Sequence, residues 1–433
     1  MSAISDPVHD TQCTLSSHAT KESSEHESDL TEMTANTSMT PERSITSTPP
    51  PPQAMNNAKI SSPNRQQQQQ QEIRQSYMVV PEAVPDVATE MNKWFADADR
   101  YGFLEDKTEI DPKSIQKEVE RSSKWHAMAE PYSARQEIVH RFDIHSTKFV
   151  KRVYKGIPDC WRRDAWYCML TDELRTANDD DDDLRMRYKE EFLTESSSHE
   201  RQIDLDIPRT MYGHIMFRQR YGQGQRALFN VLRAFSIYDE QVGYCQGMAN
   251  VAALLLIYFE EEKAFTALVH MFQRDGLHDL FVPGFPSLME SFYIQERLLE
   301  KNLPKLARHL HAKDVSSATY ATRWYITLFT GGVVPYHTLL RILDIYFLVG
   351  YDIFYFVALA LLKTHQDRLL KGNMEDCLAI LGSTLSVEDD DRFIRQVRKL
   401  YTSNASKQTV KQFKEQYRAR THNTALWYDF YRA

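Results

Sequence analysis

Leu228-Phe229-Asn230-Val231-Leu232-Arg233-Ala234-Phe235 is the stretch that decides the fold class. Its apolar residues Leu228, Val231, Leu232 and Phe235 fall at i, i+3, i+4 and i+7. That is one face of a 3.6-residue helix, not the two-residue alternation of a half-buried strand. The same spacing returns at Phe265, Leu268, Val269 and Phe272, and at Leu339, Ile342, Leu343 and Tyr346. Phe393, Val397, Leu400 and Tyr401 make a further such face. Pro158 before Asp159 reads as a helix start, with Trp161, Ala165, Trp166 and Met169 behind it at helical spacing. Gly276, Gly331-Gly332, Gly350 and Gly372 stand where helices of ordinary length should stop. No pair of alternating β-branched runs joined by a hairpin turn is apparent, and no internal repeat stands out. The fold class expected is all-α, a single large multi-helix domain from about 90 to 400.

The chain has 433 residues. Residues 1–71 contain no Phe, Tyr or Trp, so the 21 Phe, 22 Tyr and 6 Trp all lie beyond them. The first segment instead carries a Pro49–Pro52 run, a Gln66–Gln71 run and many Ser and Thr. Little there can offset the entropy of ordering a chain. Its three Ser/Thr-Pro steps, Thr40-Pro41, Thr48-Pro49 and Ser62-Pro63, suit a solvated tail and are open to phosphorylation. The division expected is a disordered Ser/Thr/Pro/Gln-rich tail over 1–80, a helical lead-in over 81–150, the main domain over 151–380 and C-terminal helices over 381–433. The last segment, Gln408–Arg420, has few apolar anchors (Val410, Phe413, Tyr417) and reads as a loosely packed terminal helix.

Charge and cysteine usage exclude several classes. Fifty-two basic against 60 acidic residues give a net charge of −8, which argues against general nucleic-acid binding. Five cysteines, 13, 160, 168, 245 and 377, with no C-x-x-C pair, fit a reducing compartment better than a disulfide or thiolate-zinc framework. Cys160, Cys168 and Cys245 read as core residues. No apolar run follows Met1, and Ile353–Leu362 and Val251–Phe259 are too short to span a bilayer. Any membrane contact is therefore expected to be peripheral. Asp179–Asp183 reads as a self-repelling solvated loop rather than a metal site.

The chain has no G-x-x-x-x-G-K-[ST], no G-x-G-x-x-G, no G-x-S-x-G and no H-E-x-x-H. It has no phosphate cradle of its own and no evident nucleophile–base set. His309 and His311, two apart, would not share a helix face. Three segments remain: Gly156-Ile157-Pro158 with Arg162 and Trp166; Ile203-Asp204-Leu205-Asp206-Ile207-Pro208-Arg209; and Tyr244-Cys245-Gln246-Gly247-Met248. In the second, Asp206 and Arg209 are one turn apart, so the carboxylate could hold the guanidinium in one orientation, as a transition-state-stabilising arginine requires. A plain surface ion pair is the other reading. In the third, Gly247 beside Gln246 lets backbone approach a partner closely, or is simply a helix N-terminal cap with an incidental Gln.

Taken together and in order, the three segments resemble the signature motifs of TBC-type GTPase-activating proteins for Rab GTPases. These are G-I-P-x-x-x-R-x-x-x-W, I-x-x-D-x-x-R and Y-x-Q-G-M. The likeness covers about residues 92–400. Trp94–Gly102, Lys124–Met128, Arg209–Gly222, Val242–Phe259 and Phe281–Pro286 look most like the RN-tre branch of that family. Arg163, Ala249, Leu343 and Gly331-Gly332 depart from its pattern, none at a finger position. The resemblance implies a two-finger mechanism. Arg209 would neutralise charge on the transferring phosphoryl of a GTP-loaded Rab, and Gln246 would orient the attacking water. Asp206 would hold Arg209, Tyr244 and Gly247 would shape the backbone around Gln246, and Arg162 would support the finger segments. It implies no cofactor of the chain's own, since GTP and magnesium belong to the Rab. It also implies an activator rather than an enzyme with its own substrate, acting in vesicle trafficking. The expected setting is cytoplasmic, with recruitment to endosomal or Golgi membranes. A catalytically silent helical adaptor for Rab or other trafficking partners is the alternative, but it has no physical need of both Arg209 and Gln246.

Overall fold

The computed structural model describes residues 63–78, 98–104, 112–134, 137–171, 178–402 and 406–430, all within the compact unit Ser61–Ala433. Its first helix corrects an expectation. α1, Pro63–Met78, lies inside the stretch 1–80 read as a tail, and its Gln66–Gln71 run is helical. Glutamine is a fair helix former, and Ile73 and Tyr77, one turn apart, both meet the hydrophobic core. The Thr40-Pro41 and Thr48-Pro49 steps, Ser62 and Trp94 lie outside the described residues.

The lead-in is helical only in part. α2, Pro112–His126, is followed by an antiparallel pair, β1 (Glu130–Ala134) and β2 (Glu137–Arg141), with Glu130 opposite Arg141. The sequence hid this hairpin because Arg135-Gln136 between the strands offers no Gly, Asn or Asp as a turn signal. α3, Thr147–Val153, starts where the Ser146 hydroxyl accepts the Phe149 N–H at 3.2 Å. Trp125 is buried against the rings of Phe142, just after β2, and Phe149, which ties α2 to α3 and to the end of the hairpin.

α4, Asp159–Thr171, begins as expected behind Pro158 and buries Trp161, Ala165, Trp166 and Met169. That face leaves Cys160 exposed, 3.4 Å from the Ser122 hydroxyl, and Cys168 half-buried; Cys245 is also half-buried. Cys160 is therefore not a core residue, Cys168 and Cys245 pack against the core from its edge, and among the described residues Cys377 is the fully buried cysteine. α5, Asn178–Arg187, contains the five-Asp run, which is helix rather than loop. Arg185 and Arg187 in its last turn complement the negative end of the helix dipole.

α6 is short, Glu200–Asp206. α7, Gln223–Tyr238, is the helix read from Leu228–Phe235, and all four of those anchors are buried. α8 (Met248–Tyr258) and α9 (Glu261–Asp275) pack on α7 and on each other. α10 (Pro286–Asn302), α11 (Pro304–Ala312) and α12 (Ser317–Ile326) follow. α13, Tyr336–Val349, packs on α4 and on α14, Ile353–Thr364. α8 and α14 are apolar nearly all round because they lie in the core, and Ile353–Leu362 is buried throughout. α15 (Met374–Gly382) and α16 (Asp390–Thr402) complete this half. The stops read at Gly276 and Gly350 are helix C-caps with φ of 63° and 85°.

α17, Ser406–Phe430, is longer than the terminal helix expected. It is also better held, with Val410 buried, Lys414 Nζ 2.7 Å from Asp352 and Arg418 Nε 2.9 Å from Glu290. One core cluster runs from Tyr77 to Val410. A domain boundary at 380 does not match it, since α15 crosses that position. Among the described residues no helix is long and apolar enough to cross a membrane.

Candidate functional site

The second of the three segments is a helix end. α6 stops at Asp206, the chain makes one 3-10 turn over Ile207–Arg209, and it leaves extended at Thr210. Pro208 has no N–H to continue an α-helix. Ile207 and Thr210 are buried, and the Thr210 hydroxyl donates to the Asp206 carbonyl at 2.8 Å. Between these two anchors Arg209 turns outward, its side chain 58% exposed, with Nη2 paired to Asp206 Oδ1. Asp206 itself is only 3% exposed. The pair is therefore not an ordinary surface ion pair: one partner is fixed in the protein and the other is presented to solvent.

Asp206 also joins the second segment to the third. Its other oxygen, Oδ2, accepts the Tyr244 hydroxyl at 2.6 Å. Burial and then the Asp206 carboxylate push the Tyr244 phenol well above its ordinary pKa, so it stays a donor. Gln202 Nε2 adds a longer bond to Asp206 Oδ1 at 3.4 Å. Nearby, Gly243 has φ of +58°, and a Cβ there would lie 2.2 Å from His199 Nε2, at the start of α6. The loop before Gln246 thus rests on both ends of α6: His199 at one, Asp206 at the other.

Gln246 is exposed, and Gly247 behind it is buried. Gly247 caps α8 with φ of +111°, and a Cβ there would meet the Ile326 carbonyl at 3.0 Å. Gly247 therefore starts the helix, and the close approach it allows here is by the end of α12 of the same chain. Met248 is buried, and its sulfur accepts the Cys245 N–H at 3.2 Å, which closes the turn. Cys245 is no candidate nucleophile, because burial and then the Asp206 charge push its thiol up to about 11.

Arg162, from the first segment, is buried and faces α13 rather than solvent. Its Nε donates to Asp344 Oδ1 at 3.0 Å and its Nη2 to the Ile157 carbonyl at 2.7 Å. Trp166 Nε1 donates to Asp344 Oδ1 at 2.9 Å, and the Ile157 N–H donates to Oδ2 at 3.2 Å. Asp344, 0% exposed, is thus the shared acceptor of Ile157, Arg162 and Trp166, and Asp159 takes the Arg162 Nη1. The sequence reading passed over Asp344. Its signal was the lone carboxylate in the mostly apolar stretch Leu339–Tyr346, where Arg341 is the other charge. Burial alone would lower the Arg162 pKa, but the Asp344 carboxylate holds it well above its ordinary value.

What the arrangement offers chemically is a planar cation and a primary amide, each exposed, on two segments tied by Tyr244–Asp206. Leu205 and Tyr212, also missed from sequence, flank Arg209 in the chain and are exposed large apolar side chains, at 57% and 56%. Such a pair beside a charged tip suits docking of another protein surface. Among the described residues no group of three or more His, Cys, Asp or Glu could hold a metal ion, and the side chains of Asp179–Asp182 lie outside that description.

A model of the Rab-GTPase-TBC domain family matches residues 159–370. The chain is similar to TBC domain-containing protein C1778.09 of Schizosaccharomyces pombe, 36% identical over 317 residues, covering 71% of this chain and 73% of that protein. It is 34% identical over 245 residues to Rab GTPase-activating protein tbc-11 of Caenorhabditis elegans, covering 56% of this chain but only 26% of that longer protein. The fold is similar to that of the Chlamydomonas flagellar RabGAP TBC domain, with a TM-score of 0.52 and 23% identity, over 69% of this chain and 98% of that one.

Proposed function

Because the chain belongs to the family of Rab-GTPase-TBC domain proteins, we propose that it accelerates GTP hydrolysis by a Rab-family GTPase through Arg209 and Gln246, and so acts in vesicle trafficking. The observation that carries this reading is the bond path from Arg209 to Asp206 to Tyr244, two residues before Gln246. It couples an exposed guanidinium to an exposed amide through a buried carboxylate. In this reading the partner is the GTP-loaded Rab, which brings its own GTP and magnesium, and this chain brings no cofactor. The chain meets membranes through that partner.

Arg209 supplies positive charge where negative charge spreads over the transferring phosphoryl, an effect worth roughly 10³–10⁵ in rate. Asp206 fixes the guanidinium beforehand, so less orientation remains to be found in the transition state. Gln246 places its amide on the attacking water, in the position the Rab's own glutamine would otherwise hold. Gly247 and Met248 set the turn from which that amide projects. Arg162, sealed in by Asp344, anchors the start of the domain and touches no partner. A silent adaptor gains nothing from a carboxylate buried to orient one arginine.

The test is a two-by-two comparison of single-turnover hydrolysis, with ordinary and Gln-less Rab against the parent chain and Gln246→Ala. If Gln246 positions the water, the Gln-less Rab responds to the parent chain and not to the variant. Equal resistance of the Gln-less Rab to both proteins would leave Arg209 as the only finger.

A further inference from the structure

α6 has seven residues, Glu200–Asp206, too few to hold its own shape in water. What places it must be tertiary contact. Tyr244 reaches it through Asp206. Two other acidic side chains of the same helix, Glu200 and Asp204 one turn apart, bond to α1.

Arg74 Nε lies 2.9 Å from both Glu200 carboxylate oxygens, and that carboxylate is 0% exposed. The Tyr77 hydroxyl donates to Asp204 Oδ1 at 2.9 Å and accepts from Arg220 Nη1 at 3.1 Å. Arg220 also pairs with Asp204 directly. The Tyr77 ring stacks on Phe229 of α7, centroids 4.0 Å apart and 8° from parallel, with Tyr221 edge-on at 5.0 Å. Arg74 and Tyr77 stand three apart on α1, so one helix face carries both contacts. α1 thus spans α6 and α7, and it lies well ahead of the residues 159–370 matched by the family model.

We infer that α1 is a positioning element for Arg209, with Arg74 and Tyr77 holding α6 so that Asp206 keeps the guanidinium in its working orientation; this rests on the activator reading above. Neither residue is bonded to Arg209 or Gln246, so both act through α6. The geometry explains why the clamp takes charged and hydroxyl groups rather than apolar packing alone. Buried Glu200 is satisfied only while Arg74 is in place and the Ser197 N–H, at 3.1 Å, supplies the remaining bond. Withdrawal of α1 would open one side of a two-turn helix whose last residue sets the finger. A displacement of about 1 Å at a reacting group can cost roughly 100-fold in rate.

The experiment uses the full chain with Tyr77→Ala, Tyr77→Phe, Arg74→Gln and, as a control on the same helix, Gln71→Ala. Two readouts are taken: single-turnover GTP hydrolysis over a range of GTP-loaded Rab concentrations, and amide hydrogen exchange over 200–210. Tyr77→Ala and Arg74→Gln should lower the maximal rate by roughly 10- to 100-fold, with half-saturation little moved, and should speed exchange over 200–210 but not over 353–362. Tyr77→Phe keeps the ring stack and loses the Asp204 bond, so it should fall between; if Tyr77→Ala does not fold, Tyr77→Phe and Arg74→Lys carry the comparison. Gln71→Ala should change neither readout. Unchanged exchange over 200–210 overturns the clamp. Faster exchange with an undiminished maximal rate, or a change confined to half-saturation, overturns its link to Arg209. A parent chain that stimulates no Rab defeats the activator reading and that link with it, while the exchange arm still decides whether α1 clamps α6.

Discussion

Tyr244→Phe removes one oxygen and little else. The ring stays in its buried site, and the lost group is the hydroxyl that donates to Asp206 Oδ2 at 2.6 Å. A hydrogen bond to a charged acceptor contributes about 1.5–3 kcal/mol, and this one is short and buried on both sides. After the change Asp206 keeps only the Arg209 pair, the 3.4 Å contact from Gln202 and its helix backbone. The carboxylate then gains torsional freedom, and Arg209 follows it. If the whole contribution serves the transition state, the rate falls by roughly 10- to 150-fold; if it serves only folding, the melting temperature falls by a few degrees and the rate stays. The structure favours a division, because the bond exists before any partner arrives. The expected outcome is a rate loss of about tenfold together with measurable destabilisation. Single-turnover hydrolysis and a urea melt of the same preparation separate the two. Parental values in both assays would refute the idea that Tyr244 holds Asp206.

Other expectations follow from single contacts. Arg209→Ala should lower the stimulated rate by roughly 10³–10⁵, and Arg209→Lys should restore little, since an ammonium cannot keep Asp206 and still present a planar fork; near-parental single-turnover rates in the lysine variant would remove the finger assignment. Gly247→Ala places a Cβ 3.0 Å from the Ile326 carbonyl at φ +111°, so stability should drop by about 1–3 kcal/mol, read by a denaturant melt. Asp344→Ala leaves the Trp166 indole N–H without its acceptor and buried Arg162 with only the partly exposed Asp159 as counter-charge and should cost about 3–5 kcal/mol, visible as a lowered midpoint in urea. His214 is buried, with Nδ1 accepting the Met216 N–H at 3.2 Å and Nε2 therefore donating to the Tyr101 carbonyl at 2.9 Å. Burial pushes its pKa from 6.5 down to about 4, so folding favours the neutral ring; its contribution is complete above pH 6.5 and is lost as pH falls towards 4, by roughly 3 kcal/mol at most. Melts across that range should show the slope in the parent chain and a flatter one in His214→Asn.

The fold was legible where burial imposes a period. Leu228–Phe235 announced α7 because one face meets the core, and Gly276 and Gly350 announced stops because only glycine takes their positive φ without strain. It was not legible where order comes from one or two long-range contacts. α1 has a polar, glutamine-rich sequence, and what fixes it is Tyr77 against Phe229 and Arg74 against Glu200, more than 120 positions away. The β1–β2 hairpin lacks a turn signature, so nothing local distinguishes it. Cys160 was misplaced for a different reason: it neighbours Trp161 in sequence but sits off the face that Trp161, Ala165 and Trp166 bury. In the site, Asp206 and Arg209 were visible as one turn of helix. Their link to Tyr244 was not, because spacing cannot show that two segments 38 positions apart share one carboxylate.

That shared carboxylate also explains how an exposed arginine can be held without being consumed. A guanidinium has five N–H donors, and the pair to Asp206 engages it through Nη2. The remaining donors stay available to a partner. Asp206 in turn divides its oxygens, Oδ1 to Arg209 and Oδ2 to Tyr244. Neither bond must break for Arg209 to act, so its orientation is set during folding rather than at the encounter. Preorganised donors of this kind need no reorganisation at the moment of reaction, which is what makes them effective at a developing charge. The activator reading proposed above gives the neighbours their expected roles. In that reading residues that hold Asp206 should govern the maximal rate, whereas Leu205 and Tyr212, exposed and flanking Arg209 in sequence, should govern how well the partner is bound.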